Sequence, residues 1–166
     1  TRDRMELLKR AVASIRGQVY DGVVETIVVV DGGQPPEQLT SEDERRPVRI
    51  TSNRRRPGLA GARNTGIDAA GGRFIAFCDD DDVWREGKLE AQFHALERHP
   101  NALLAVTGMS VVWGDRRVDR VHPDDRIGLD AFVRSRVQEV HPSSFLWRAE
   151  AFDRIMASHA AALPGA

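Results

Sequence analysis

The stretch Phe74-Ile75-Ala76-Phe77-Cys78-Asp79-Asp80-Asp81-Asp82-Val83-Trp84 decides how this chain is read, because an apolar run enters four consecutive aspartates. The first five residues predict a strand of the kind buried in a parallel sheet. The carboxylates then stand at its C-terminal end, the edge at which open α/β sheets bind ligands. As a solvated turn the run would need only water, with Asp82 capping the next helix; its position at a strand end favours a site. In an extended segment, side chains two apart point the same way, so Asp79 and Asp81 are expected to face one site. With no histidine nearby, such a pair suits a hard divalent cation, Mg²⁺ or Mn²⁺, which keeps water and phosphate oxygens as its other ligands. A metal–diphosphate site follows as the expectation.

Upstream, Val23-Val24-Glu25-Thr26-Ile27-Val28-Val29-Val30 predicts a second strand, ending in the polar turn Asp31-Gly32-Gly33. Asp31 therefore belongs on the same rim as the aspartate run. A helix is predicted before it, with an Asp3–Glu6 capping box, Met5, Leu8, Val12 and Ile15 at helical spacing, and Gly17 as its stop. Gln34 to Arg46 reads as loop with one short helix, and Val48 to Thr51 as a strand. Leu59 to Ala70 reads as a helix burying Leu59, Ala62, Ile67 and Ala70. A further helix spans Glu86 to Arg98, with Leu89, Phe93 and Leu96 inward. Strands are predicted over Ala102 to Trp113 and Arg117 to Val121 about a Gly114-Asp115 turn. A helix over Leu129 to Val137, a strand over Ser143 to Trp147 and a helix over Glu150 to Ser158 complete the reading. The alternation indicates an α/β fold, Rossmann-like, with three α/β/α layers and a mostly parallel central sheet.

Composition narrows the function. The chain has 166 residues, of which 41% are hydrophobic and 30% charged, which fits one globular domain spanning 1–166. Twenty-four basic residues against 25 acidic ones leave a net charge of −1, so no global field recruits nucleic acid. Cys78 is the sole cysteine, which excludes a disulfide scaffold. Only Lys9 and Lys88 among the basic residues are lysines. No apolar run reaches the roughly 20 residues that span a bilayer, and a cytoplasmic chain, at most lying against the inner membrane face, is expected.

Gly58-Leu59-Ala60-Gly61-Ala62-Arg63-Asn64-Thr65-Gly66-Ile67, then Ala69-Ala70-Gly71-Gly72, then Phe74 to Trp84, resemble in order the central signature of family-2 glycosyltransferases, which have the GT-A fold. The first helix, the Ile27 to Gly33 strand and turn, and Lys88-Leu89 match as well, so the resemblance covers roughly residues 1–150. It implies a nucleotide-diphospho-sugar donor, a hydroxyl acceptor (saccharide, lipid or small molecule) and a divalent cation. By position, Asp31 corresponds to the aspartate that contacts the nucleotide base. Asp79 and Asp81 correspond to the D-x-D pair, the first near the ribose and the second on the metal, with Asp80 and Asp82 assisting. Arg63 is a candidate nucleotide contact, with surface pairing as the alternative. The donor half is expected over about 1–100 and the acceptor side over about 101–166.

The remaining candidates have structural alternatives. Gly58, Gly61 and Gly66 read as backbone requirements, Arg54-Arg55-Arg56 as a solvated loop, and Cys78 as a buried strand end. Trp84 is divided between core and pocket. His94 and His99 belong to a helix face, His122 and His141 to the acceptor side, and no histidine spacing suggests zinc. Two departures from the family pattern are expected. Thr1 stands where the family's first strand has already finished, and the chain stops at Ala166, before the family's catalytic acid, so no general base is assigned. Two rivals remain: a non-catalytic nucleotide-sugar-binding fragment, and a haloacid-dehalogenase-like phosphatase with Asp79 as nucleophile and Asp81 as acid/base.

Overall fold

The computed structural model describes residues 4–128 and 139–154. In chain order the elements are α1 (Met5–Arg16), β1 (Thr26–Val30), a short 3₁₀ turn (Glu37–Leu39), β2 (Val48–Ser52), α2 (Leu59–Ala69), β3 (Phe74–Ala76) and α3 (Lys88–Arg98). They continue with β4 (Leu104–Val106), β5 (Met109–Trp113), β6 (Arg116–Arg120), a second 3₁₀ turn (Pro142–Ser144) and β7 (Phe145–Arg148). Residues 150–154 are helical. The helix expected over Leu129 to Val137 lies outside the described residues, as do residues 155–158 of the last predicted helix.

The apolar spacing of α1 works as read: Leu8, Ala11, Val12 and Ile15 are buried along one stripe. Its start differs from the expected capping box. Arg4 occupies the cap position with no side-chain cap bond, Glu6 accepts instead from Lys9 at 2.8 Å, and Asp3 lies outside the described residues. Gly17 does end the helix, its N–H donating to the Ala13 carbonyl at 2.9 Å.

The β1 strand is shorter than its apolar run, and Val23, at 63% exposure, lies outside it. Strand alternation gives β1 two working faces. Val28 packs with Leu8 and Val12 of α1, whereas Val29 faces Gly66 of α2, where an added Cβ would approach its Cγ2 to 3.5 Å. Helices therefore cover both faces, as the layered reading required.

The expectation of a mostly parallel sheet needs correction. The parallel part is β1 with β2, from Thr26 opposite Val48 to Val30 opposite Ser52. The β7 strand runs antiparallel between β3 and β4, and β5 and β6 form an antiparallel hairpin. Alternation of helix and strand predicts parallel crossovers only while it lasts. Beyond α3, short connections between strands allow antiparallel pairing. The predicted strand over Ala102 to Trp113 is accordingly broken in two at Thr107-Gly108.

Burial in α2 also departs from its predicted pattern. Leu59 is 60% exposed, Ala62, Ile67 and Ala70 are half-buried, and only Thr65 is buried. This helix approaches the strands through small residues, so no large apolar side chain marks its inner face. Gly61 shows how close the fit is, since a Cβ there would collide with the Arg56 carbonyl oxygen. Gly58 has φ +117° and needs glycine for its backbone.

Two buried glutamines fasten α3 in place. Gln18 receives the Leu89 N–H and donates to the Arg85 carbonyl, joining the end of α1 to the start of α3. Gln92 donates to the carbonyls of Ala105 and Ser144 and accepts from Lys88. Around them Ile15, Trp84, Leu89, Leu96, Ala105 and Leu146 form the larger core cluster. Among the described residues β1 and β3 share no ladder, and a cleft of about 980 Å³ opens between them, beneath α1 and beside α2.

Leu96, 1% exposed, should lose about 2–5 kcal/mol on Leu96→Ala, whereas Leu59→Ala should stay within about 0.5 kcal/mol. Urea denaturation of the two variants checks this; equal losses would contradict the burial described.

Candidate functional site

The cleft brings Asp31, Arg63, Asp79, Asp80 and Asp81 to one rim, as the two strand ends predicted. The geometry of the aspartate run is not the extended one expected. The Asp82 N–H donates to the Asp79 carbonyl at 3.0 Å, which closes a turn. A turn brings residues three apart together, whereas an extended strand would align those two apart. The turn thus brings Asp82 to Asp79, while Asp79 and Asp81 both line the cleft. Asp82 also does not cap the following helix, whose cap position is Gly87 with φ 75°.

The turn acquires a histidine that the sequence reading placed elsewhere. His141 Nδ1 lies 3.4 Å from Asp82 Oδ2, and its Nε2 lies 3.8 Å from Asp79 Oδ2. Ligand atoms of Asp79, Asp82 and His141 all fall within 4.8 Å of one another. The expectation of a carboxylate pair without a histidine nearby is thus corrected. Pro142–Ser144 holds the imidazole in place: the Ser143 N–H donates to its Nδ1 at 3.4 Å, and the His141 N–H donates to Ser144 Oγ at 3.2 Å. Ser143 Oγ in turn accepts the Asp79 N–H at 3.0 Å.

Arg63 pairs with Asp79, its Nη2 donating at 2.8 and 3.1 Å to the two carboxylate oxygens, while its guanidinium lies over Phe77. Arg4 holds the other side of the run, at 2.5 Å from Asp80 Oδ1 and 2.8 Å from Asp81 Oδ2. Two buried polar atoms here have no partner: Asp80 Oδ2 and Arg63 Nε. Each such group costs about 1–3 kcal/mol when left unsatisfied, so an acceptor and a donor stand ready for a ligand. An oxygen-rich set with one imidazole and a spare buried carboxylate oxygen fits a divalent cation.

Asp31 is engaged within the fold. Its Oδ1 accepts from Asn53 Nδ2 and its Oδ2 from the Gly58 N–H, both at 2.7 Å, so it braces the loop that leads into α2. Arg55 forms a surface pair with Asp68, as the solvated-loop reading has it. Trp84 is both core and cleft wall, buried to 8% exposure with Lys88 Nζ 4.1 Å above its ring. Among the described residues His122 bonds locally, to the backbone of Asp124. Ser143 and Arg4 carry no sequence signal for this role and His141 was expected on the acceptor side, because each meets the aspartates from far along the chain, Ser143 from 64 positions and Arg4 from 77.

The sequence profile described as Glycosyl transferase family 2 matches residues 1–156. The chain belongs to glycosyl transferase family 2. Its α/β fold is the Rossmann-like GT-A fold of that family. The chain is 31% identical over 158 residues to the succinoglycan biosynthesis protein ExoO of Rhizobium meliloti (strain 1021), covering 90% of this chain and 44% of that protein. It is 51% identical over 45 residues to the UDP-Glc:alpha-D-GlcNAc-diphosphoundecaprenol beta-1,3-glucosyltransferase WfgD of Escherichia coli, covering 27% of this chain and 18% of that one. The putative teichuronic acid biosynthesis glycosyltransferase TuaG of Bacillus subtilis (strain 168) is 34% identical over 79 residues, covering 48% and 30%. The chain spans less than half the length of each of these relatives. Family membership also sets aside the phosphatase rival.

Burial dominates the titration of two neighbours of the run. It pushes the Cys78 thiol up to about 12, helped by the Asp82 charge, and draws the Lys88 ammonium down to about 8. For Lys88 the unfolded chain binds more protons between about 8 and 10.5, so stability rises with pH across that window. For Cys78 the folded chain keeps its proton between 9 and about 12, so stability falls there. The urea midpoint should therefore rise from pH 8 to 9, by up to about 1 kcal/mol of stability, then level off. In Cys78→Ala the rise should continue to about pH 10.5, and in Lys88→Met it should vanish.

Proposed function

We propose that this rim is the donor site of a metal-dependent glycosyltransferase that moves a sugar from a nucleotide-diphospho-sugar to an acceptor hydroxyl with inversion. The observation that carries the reading is the cluster of Asp79, Asp82 and His141 at a strand's C-terminal end, joined through Asp79 and its partner Arg63 to the cleft that those two residues line. Asp79, Asp82 and His141 would hold Mg²⁺ or Mn²⁺, with Asp81 recruited from its exposed place beside them. When bound, the cation neutralises charge that develops on the departing nucleoside diphosphate.

The chain's own groups supply the rest. Arg63 orients Asp79 and leaves its Nε to donate to the donor, and Asp80 Oδ2 accepts a ribose or sugar hydroxyl. Asp31 shapes the nucleotide end of the cleft by fixing the Asn53–Gly58 loop. The acceptor oxygen bonds to the anomeric carbon as the bond to diphosphate breaks, and the hydroxyl proton leaves to a general base, a role to which no described residue is assigned.

The names of relatives support a polysaccharide setting, with UDP-glucose as donor and a diphosphoundecaprenol-linked sugar as acceptor in WfgD. We extend that class to this chain and place its reaction at the cytoplasmic face of the membrane. Among the described residues no helix is long and apolar enough to cross a membrane.

Thermal unfolding with UDP, GDP and dTDP, each with and without Mn²⁺, tests the donor site. One nucleotide should raise Tm only when Mn²⁺ is present, by a stabilisation of about 2.7 kcal/mol at a hundred times its Kd. Asp81→Asn should lose that response. If no nucleotide stabilises the chain with Mn²⁺, the reading is wrong. Stabilisation without sugar transfer from the matching donor would identify a binding module instead.

A further inference from the structure

We propose that Arg4 is the resident counter-cation of the aspartate run and that a divalent cation must displace it from Asp81. The inference rests on the metal site proposed above and adds a competitor to it. One guanidinium spans two carboxylates, at 2.5 Å from Asp80 and 2.8 Å from Asp81. Asp80 is 8% exposed, so its charge is held in place by this contact while its second oxygen has no partner. Asp81 is 51% exposed and pairs with Arg4, which leaves it open to exchange.

The needs of α1 do not explain Arg4. It occupies the cap position without making a side-chain cap bond, and a positive charge at a helix N-terminus opposes the macrodipole. The aspartates, 77 positions along the chain, do explain it. A guanidinium offers one positive charge and no coordination bonds, so it offsets part of the run's charge without satisfying it. A divalent cation brings two charges to the same carboxylates and repels the guanidinium at close range. Arg4 and the cation therefore compete for Asp81, and metal entry frees the N-terminal end of α1 from the rim.

Manganese affinity is the readout, measured from the free Mn²⁺ signal by electron paramagnetic resonance in the full chain without nucleotide. Arg4→Ala should bind Mn²⁺ about three- to tenfold more tightly than the wild type, and low salt should enlarge the difference. Arg4→Lys, which keeps the charge but loses the two-pronged contact, should fall between them. Unchanged or weaker binding in Arg4→Ala, with Asp81→Asn still weakening the wild-type site, overturns the role of Arg4 and leaves the metal site intact. Failure of the wild type and of every variant to bind Mn²⁺ overturns both.

Discussion

Four adjacent carboxylates at the end of a buried strand repel one another, and the rest of the rim is organised around that repulsion. Charge compensation comes from Arg4 at the start of α1 and Arg63 within α2, and a third group, His141 just before the second 3₁₀ turn, lies against Asp79 and Asp82. Each is fixed by a different part of the fold. The α1 stripe of Leu8, Val12 and Ile15 sets Arg4, the small-residue approach of α2 sets Arg63, and Ser143 with Ser144 sets His141. Assembly of the site is therefore a consequence of packing α1, α2 and β7 about the same cleft.

The two buried glutamines link that packing to the site. Gln18 joins α1 to α3, and Gln92 reaches the Ser144 carbonyl, one residue from the hydroxyl that receives the Asp79 N–H. A buried amide that lost these partners would leave unsatisfied groups at a cost of about 1–3 kcal/mol each. The core thus carries geometry as well as stability to the rim. Two buried atoms without a partner, Asp80 Oδ2 and Arg63 Nε, lie where the proposed ligands would bind.

Local patterns made part of this legible. The apolar run before Asp79, the β-branched run before Asp31 and the stripe of α1 each became the element they predict. The Asp79–Asp82 turn did not show, because a hydrogen bond between residues three apart leaves no mark on an acidic run. The α2 face was misread since glycine and alanine carry no amphipathic signal. His141 was expected on the acceptor side, because its partners lie far off in sequence and only the pairing of β7 with β3 brings it to the aspartates. Family resemblance reached the donor signature but could not supply these long-range contacts.

The most direct measurement is electron spin-echo modulation of Mn²⁺ bound to the chain, which detects a coordinating nitrogen. The account predicts ¹⁴N modulation from the His141 imidazole that disappears in His141→Gln while Mn²⁺ stays bound to the carboxylates. Bound Mn²⁺ without ¹⁴N modulation, or modulation unchanged by His141→Gln, would contradict it.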